Sequence, residues 1–159
     1  MNFDEIIRTR AMSSSSVACL VLVHPEIRML EKAQAVIEHL QIPVAFIGEE
    51  LSALLLDTQR SDQARAIARW FDARFTSADS SRQAGGQLVA FSQIDFLFEP
   101  CFQLDPLALF KRAARNNRIL VLWPGDITHN TLSYAVPEHR HYRTWRIDDP
   151  TLQIIRLQE

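Results

Sequence analysis

The densest group of chemistry-bearing side chains lies late in the chain, in the run Arg140-His141-Tyr142-Arg143-Thr144-Trp145-Arg146. Cations interleaved with aromatics can pair with phosphates while stacking on bases. Arg, Tyr and Trp are also favoured anchors of protein interfaces, and the same alternation suits a strand with one packed face. Arg140, Tyr142, Arg143 and Trp145 are therefore candidate partner-binding residues, and the three readings stay open. His129, His139 and His141 bring three imidazoles. No suitably spaced Cys or carboxylate completes a zinc-type set, so a surface histidine cluster is expected and no metal. No Ser-His-Asp or Cys-His arrangement can be assembled.

A second position with chemical meaning is the junction VLVHPEIRMLEKA, where an apolar run opens into a helical pattern. Phosphate-binding loops sit at such junctions and need glycines, whose backbone amides close around phosphate, followed by Lys and Ser/Thr. This junction has no glycine, and Pro25 removes an amide where donors are needed. Arg28 and Lys32 offer positive charge from a helix, not from a cradle. A working nucleotide loop is not expected here.

These residues must be positioned by an alternation of strands and helices. Val17–Val23 is the strongest apolar run and the candidate central strand. After His24-Pro25, the residues Ile27, Leu30, Ala33, Ile37 and Leu40 recur at helical spacing, with Pro25 suited to a first helical turn. Ile42–Ile47 reads as a second strand, and Gly48 permits a sharp exit. Helices are expected over Glu49–Thr58, with Leu51, Leu54 and Leu55 on one side, and over Asp62–Phe75, with Asp62 as cap and Ala66, Ile67, Trp70 and Phe71 inward. A surface loop is expected over Thr76–Gln87. Leu88–Phe91 and Ile119–Trp123 are apolar strands flanking a helix that Asp105-Pro106 starts. Strand, helix and strand form a βαβ unit, which should be parallel and right-handed. Pro124-Gly125-Asp126 reads as a turn at a strand's carboxyl end. Thr131–Val136 and Thr151–Leu157 are β-like, with Gln153–Leu157 a candidate edge strand. The expected fold is a three-layer α/β/α arrangement with a mostly parallel sheet. It forms a single domain over 1–159, with an N-terminal segment over 1–16 and a β-rich extension over 124–159. In the N-terminal segment, residues 1–12 suit a short helix with Phe3, Ile6 and Ile7 inward.

Composition supports this class. A 159-residue chain, 47% hydrophobic and 23% charged, has enough material for a proper core. The net charge of −2 gives no general electrostatic footprint for nucleic acid, although a local basic face is compatible with it. Cys19 and Cys101 sit within or beside apolar runs and read as buried free thiols of a reducing cytoplasm. No apolar run approaches membrane-spanning length and the amino terminus lacks a signal-peptide pattern, so a cytoplasmic location and no membrane partner are expected.

The block IDFLFEPCFQLDPLALFKRAARNNRILVLWPGD, with LSYAVPEHRHYRTW after it, resembles the small P-loop protein of type 3 BREX bacteriophage-exclusion systems, the BrxF family. Ile94, Leu97, Phe98, Asp105, Pro106, Leu107, Arg115, Asn116, Arg118, Trp123 and Gly125 fit its pattern. So do Leu132, Tyr134, Ala135, Pro137, His139 and Tyr142. The resemblance covers the C-terminal third closely and the region Glu50–Arg60 more loosely. It implies a P-loop-NTPase-like core, an antiphage role and larger defence proteins as partners: an ATPase, a methyltransferase or a phosphatase-like subunit. The chain departs from the family where catalysis resides. His24–Arg28 replaces the glycine-rich loop, Ser92 stands at the Walker B-type Asp, Asp95 at the following Glu, and Pro124 at the polar residue after Trp. The resemblance thus implies a degenerate relative that does not hydrolyse nucleotide. Two other readings stay beside it: ATP held unconventionally through Arg28, Lys32 and Asp95, and a DNA-binding accessory protein. Arg115 and Arg118 resemble the arginines that complete a neighbour's nucleotide site in ring ATPases, a role that would make the chain a homo-oligomer or part of a larger ring. Cations at a helix C-terminus are equally at home there on electrostatic grounds.

Overall fold

The structure is a computed structural model that describes residues 2–12, 17–75 and 88–158. A short helix α1 (Phe3–Ile6) continues as a π-helical turn to Met12 and buries Ile6 and Ile7. Strand β1 (Cys19–His24) leads to α2 (Ile27–His39), β2 (Val44–Phe46), α3 (Ile47–Leu56) and α4 (Gln63–Phe75). Then follow β3 (Leu88–Ser92), α5 (Pro106–Ala113), β4 (Arg118–Thr128), β5 (Thr131–Tyr134), β6 (Arg143–Arg146) and β7 (Leu152–Arg156).

The main sheet runs β2-β3-β4-β1-β7 and all its pairings are parallel. The distal half of β4 leaves this sheet and pairs antiparallel with β5, which pairs antiparallel with β6. Alternation along each strand divides the apolar residues between two layers. Leu20, Leu22, Leu120 and Leu122 face α1 and α2, packing on Leu30, Ala33 and Ile37. Val21, Val23, Phe91, Val121 and Trp123 face α3, α4, α5 and the β5–β6 hairpin. Aromatic rings concentrate on this second face, where Phe71, Phe75, Phe91, Phe110 and Trp123 meet edge to face or tilted.

The division of helices follows from handedness. The β1-to-β2 connection crosses the sheet in one direction, and the β2-to-β3 and β3-to-β4 connections return in the other. Right-handed crossovers in opposite directions put their helices on opposite faces, and α2 does lie opposite α3, α4 and α5. The reversal beside β1 is a topological switch point, and ligands of such sheets bind outside the carboxyl ends of the strands there.

Several expectations are corrected. Pro25 precedes the helix: Glu26 is the N-cap and helical residues begin at Ile27. Gly48 does not provide an exit, since it lies inside the first turn of α3, where a Cβ would press on the Gln93 side chain. Pro124-Gly125-Asp126 is not a turn, because β4 runs straight through it to Thr128. Gly125 is required there by close approach, as a Cβ would run into the Ser133 carbonyl. Cys101 is exposed, and only Cys19 is buried. The expected loop over Thr76–Gln87 lies outside the described residues. Among the described residues, no helix is long and apolar enough to cross a membrane.

Candidate functional site

At the carboxyl end of β1 the chain makes the turn His24-Pro25-Glu26 and enters α2. The Glu26 amide donates to Nδ1 of His24 at 3.0 Å, and the Met29 amide donates to the Glu26 carbonyl. Pro25 has no amide hydrogen to offer. The donors of residues 25, 26 and 29 are thus absent or taken, and an acidic residue stands at the N-cap. An anion is favoured at a helix N-terminus, and the charge of Glu26 at this one opposes a phosphate, although its side chain makes no capping hydrogen bond. The residues present do not fit a nucleotide phosphate.

Beside this turn lies a cleft of about 240 Å³, walled by α2, the segment after β3 and the end of β4. This is below the ~300–1,000 Å³ of clefts that hold drug-sized ligands. Ile27, Leu30, Ile94 and Leu122 supply apolar walls, while Glu31, Gln34, Ser92, Gln93 and Asp95 supply polar groups. Ser92 is buried, and its hydroxyl donates to Oε1 of Gln34 at 2.6 Å. Nε2 of Gln34 in turn donates to Glu38. Gln93 holds a left-handed backbone at φ 56°, which turns the chain sharply from β3 into the 3-10 turn Ile94–Phe98. Asp95 sits on that turn and accepts a hydrogen bond from the Tyr134 hydroxyl at 2.9 Å. Burial first, and then the charge of Asp95, push the Tyr134 phenol above its ordinary pKa.

The three residues of the unconventional nucleotide reading do not converge. Asp95 lines the cleft, whereas Arg28 and Lys32 are exposed on α2 and line none of it. The helical positions that do face the cleft are Ile27, Leu30, Glu31 and Gln34, and residues 28 and 32 project about 100–140° away from Ile27 around the helix. Ile27 was expected in the core, yet it is 65% exposed at the cleft rim. Glu31 and Gln34 escaped notice in the sequence. Their i+4 and i+7 spacing from Ile27 was the available signal.

Arg115 is exposed just beyond α5, and Arg118 is half-buried at the start of β4. Both lie at the amino end of β4, ~20 Å along the strand from the cleft at a rise of ~3.3 Å per residue. The late basic and aromatic run splits in two. Arg143 donates to the Leu104 carbonyl at 2.8 Å and lies 4.9 Å from the Trp145 ring centre. Trp145 packs edge-on against Phe98 and Trp123, and its Nε1 donates to Asp105 at 3.1 Å. These two hold β6 against the start of α5, as a strand with one packed face would. Arg140, Tyr142 and Arg146 stay exposed.

His139 and His141 lie with ring centres 5.5 Å apart, and His141 approaches Glu99 at 3.9 Å. Among the described residues, no group of three or more His, Cys, Asp or Glu is placed to hold a metal. Comparison with protein-family models, with curated proteins and with solved structures found no match for this chain.

Proposed function

We propose that this chain is a non-catalytic subunit with a degenerate P-loop-like core, serving a bacterial antiphage system of BREX type as a structural or regulatory partner of a larger protein. The architecture supports the reading. An inner parallel strand, β1, runs into a helix at the sheet's carboxyl end, which is the setting of a P-loop. The observation that carries the non-catalytic part is the His24-Pro25-Glu26 turn. A proline, an amide bonded to His24 and an acidic residue stand where the cradle would be. Ser92 strengthens the case: where a magnesium-binding carboxylate would be needed, a hydroxyl is bonded to Gln34.

The larger partner would be the system's ATPase, methyltransferase or phosphatase-like protein, as the resemblance in the C-terminal third implies. The test has two arms. Calorimetric titration with ATP, ADP and GTP plus magnesium should give no binding heat. Co-expression with neighbouring gene products should yield a stable complex. Micromolar nucleotide binding would return the chain to the enzymes, and failure to co-purify with any neighbour would remove the subunit role. DNA binding, the remaining alternative, would appear as affinity that falls steeply with salt.

A further inference from the structure

The cleft beside β1 has the wrong polarity for phosphate and a definite polarity of its own. Its two ionisable lining residues are both carboxylates, Glu31 and Asp95, and no Lys, Arg or His lines it. The hydrogen-bond inventory adds to this. Ser92 has committed its only proton to Gln34, so it presents only lone pairs to any further ligand. Gln34 turns its amide nitrogen to Glu38. Asp95 accepts from Tyr134 through Oδ1, which leaves Oδ2 as a further acceptor. Apart from the Gln93 carboxamide, which both donates and accepts, the side chains therefore offer mainly acceptors, held between the apolar surfaces of Ile27, Leu30, Ile94 and Leu122.

We infer that this cleft receives a basic side chain, an arginine or lysine, from the partner protein. A guanidinium supplies several donors to a carboxylate pair and cannot lose its charge. Its aliphatic stem suits apolar walls, with the charged head among the acceptors. A volume near 240 Å³ accommodates one side chain, not a nucleotide. Ile27, 65% exposed at the rim, gives the partner's backbone an apolar landing point. A metal ion is the competing cation, but two carboxylates with no third His, Cys, Asp or Glu beside them make a weak site for a hard cation that takes six or more oxygens.

This inference rests on the subunit reading for its source of the basic side chain, and its test stands apart from that reading. The full chain, labelled with ¹⁵N, is titrated with Nα-acetyl-arginine methylamide and with the citrulline analogue, which has the same shape without the charge. Saturable shifts are expected at the amides of Glu31, Gln34, Ser92, Gln93 and Asp95, with the citrulline analogue weaker by about tenfold or more. Glu31→Gln and Asp95→Asn should each weaken the arginine response, while the remote Asp62→Asn leaves it unchanged. Equal response to both analogues overturns the proposal, as does a stronger response of the same amides to magnesium or to inorganic phosphate. A Glu31→Gln/Asp95→Asn double variant that still co-purifies undiminished with a neighbouring protein rejects the cleft as the docking point and leaves the subunit reading standing.

Discussion

The hydroxyl of Tyr134 donates to Oδ1 of Asp95 at 2.9 Å, and so ties β5 to the turn that follows β3. Phe98, on the same turn, stacks on the Tyr134 ring at 3.7 Å. One tyrosine thus holds a wall of the cleft against the antiparallel hairpin. Tyr134→Phe keeps the stacking and removes the hydrogen bond, at an expected cost of about 1–2 kcal/mol, since the acceptor is charged but solvent-exposed. The pH dependence follows from the raised phenol. The folded state favours the protonated form, so this contribution is complete below the ordinary pKa of 10.0 and is lost as pH rises above it. Urea midpoints measured from pH 8 to 11 should fall less steeply in Tyr134→Phe than in the parent. An unchanged alkaline slope would mean that the bond does not form in solution.

Two glycines make opposite predictions. At Gly125 a methyl would meet the Ser133 backbone carbonyl, which the Trp123 indole already holds at 2.9 Å. Neither group is free to retreat, so Gly125→Ala should cost about 1–3 kcal/mol or more and loosen the β4–β5 pairing. At Gly48 the methyl would approach the movable Oε1 of the exposed Gln93 at 3.2 Å and its Cβ at 3.3 Å, so that residue must give by only a few tenths of an ångström. Alanine also favours the helix by up to ~1 kcal/mol. Gly48→Ala should therefore fall within about 0.5 kcal/mol of the parent in chemical denaturation. A large loss at Gly48 would show that Gln93 cannot yield.

The two cysteines should separate by reactivity. Cys19 opens β1, between β4 and β7, and is 2% exposed, and burial pushes its thiol up to about 12. Because the thiolate is the reactive form, Cys19 should resist a disulfide reagent under native conditions and react only on unfolding. Cys101, exposed on the turn before α5, should react at once. One fast equivalent and one that appears with denaturant is the expected titration. Two fast equivalents would place β1 outside a closed core.

Much of the fold was legible because it depends on local pattern. The apolar runs at Cys19–Val23 and Ile119–Trp123 needed burial on both faces, and Asp105-Pro106 starts α5 with the Asp105 carboxylate accepting from Ala108. What escaped depends on chain meeting chain. Pro124-Gly125 has turn chemistry, yet pairing with β5 overrides it, and only the approach of Ser133 explains the glycine. The cleft was hidden for the same reason. Glu31, Ser92 and Asp95 come from separate elements, and no spacing in the sequence places a helix carboxylate beside a strand end. Arg28 and Lys32 looked chemical because of their charge, but the turn of the helix points them elsewhere.

The late basic run carries the last prediction, because the structure gives its residues different work. Trp145 fills the space between Phe98 and Trp123 and bonds to Asp105, and Arg143 reaches the Leu104 carbonyl. Trp145→Ala leaves a void in an aromatic cluster and an N-cap carboxylate without its indole, for an expected loss of about 2–4 kcal/mol. Arg143→Ala should cost about 1 kcal/mol. Arg140 and Tyr142 are exposed, with Tyr142 at 38%, and lie outside these contacts of Arg143 and Trp145. An Arg140→Ala/Tyr142→Ala double variant should keep the parent's melting temperature, because surface positions of this kind move stability by less than about 0.5 kcal/mol. If this rim meets the larger partner, that variant should co-purify poorly while folding normally, and Trp145→Ala should lose the complex only in proportion to its lost stability. Full retention of the complex by the double variant would assign docking to the cleft alone, where Glu31 and Asp95 face the solvent.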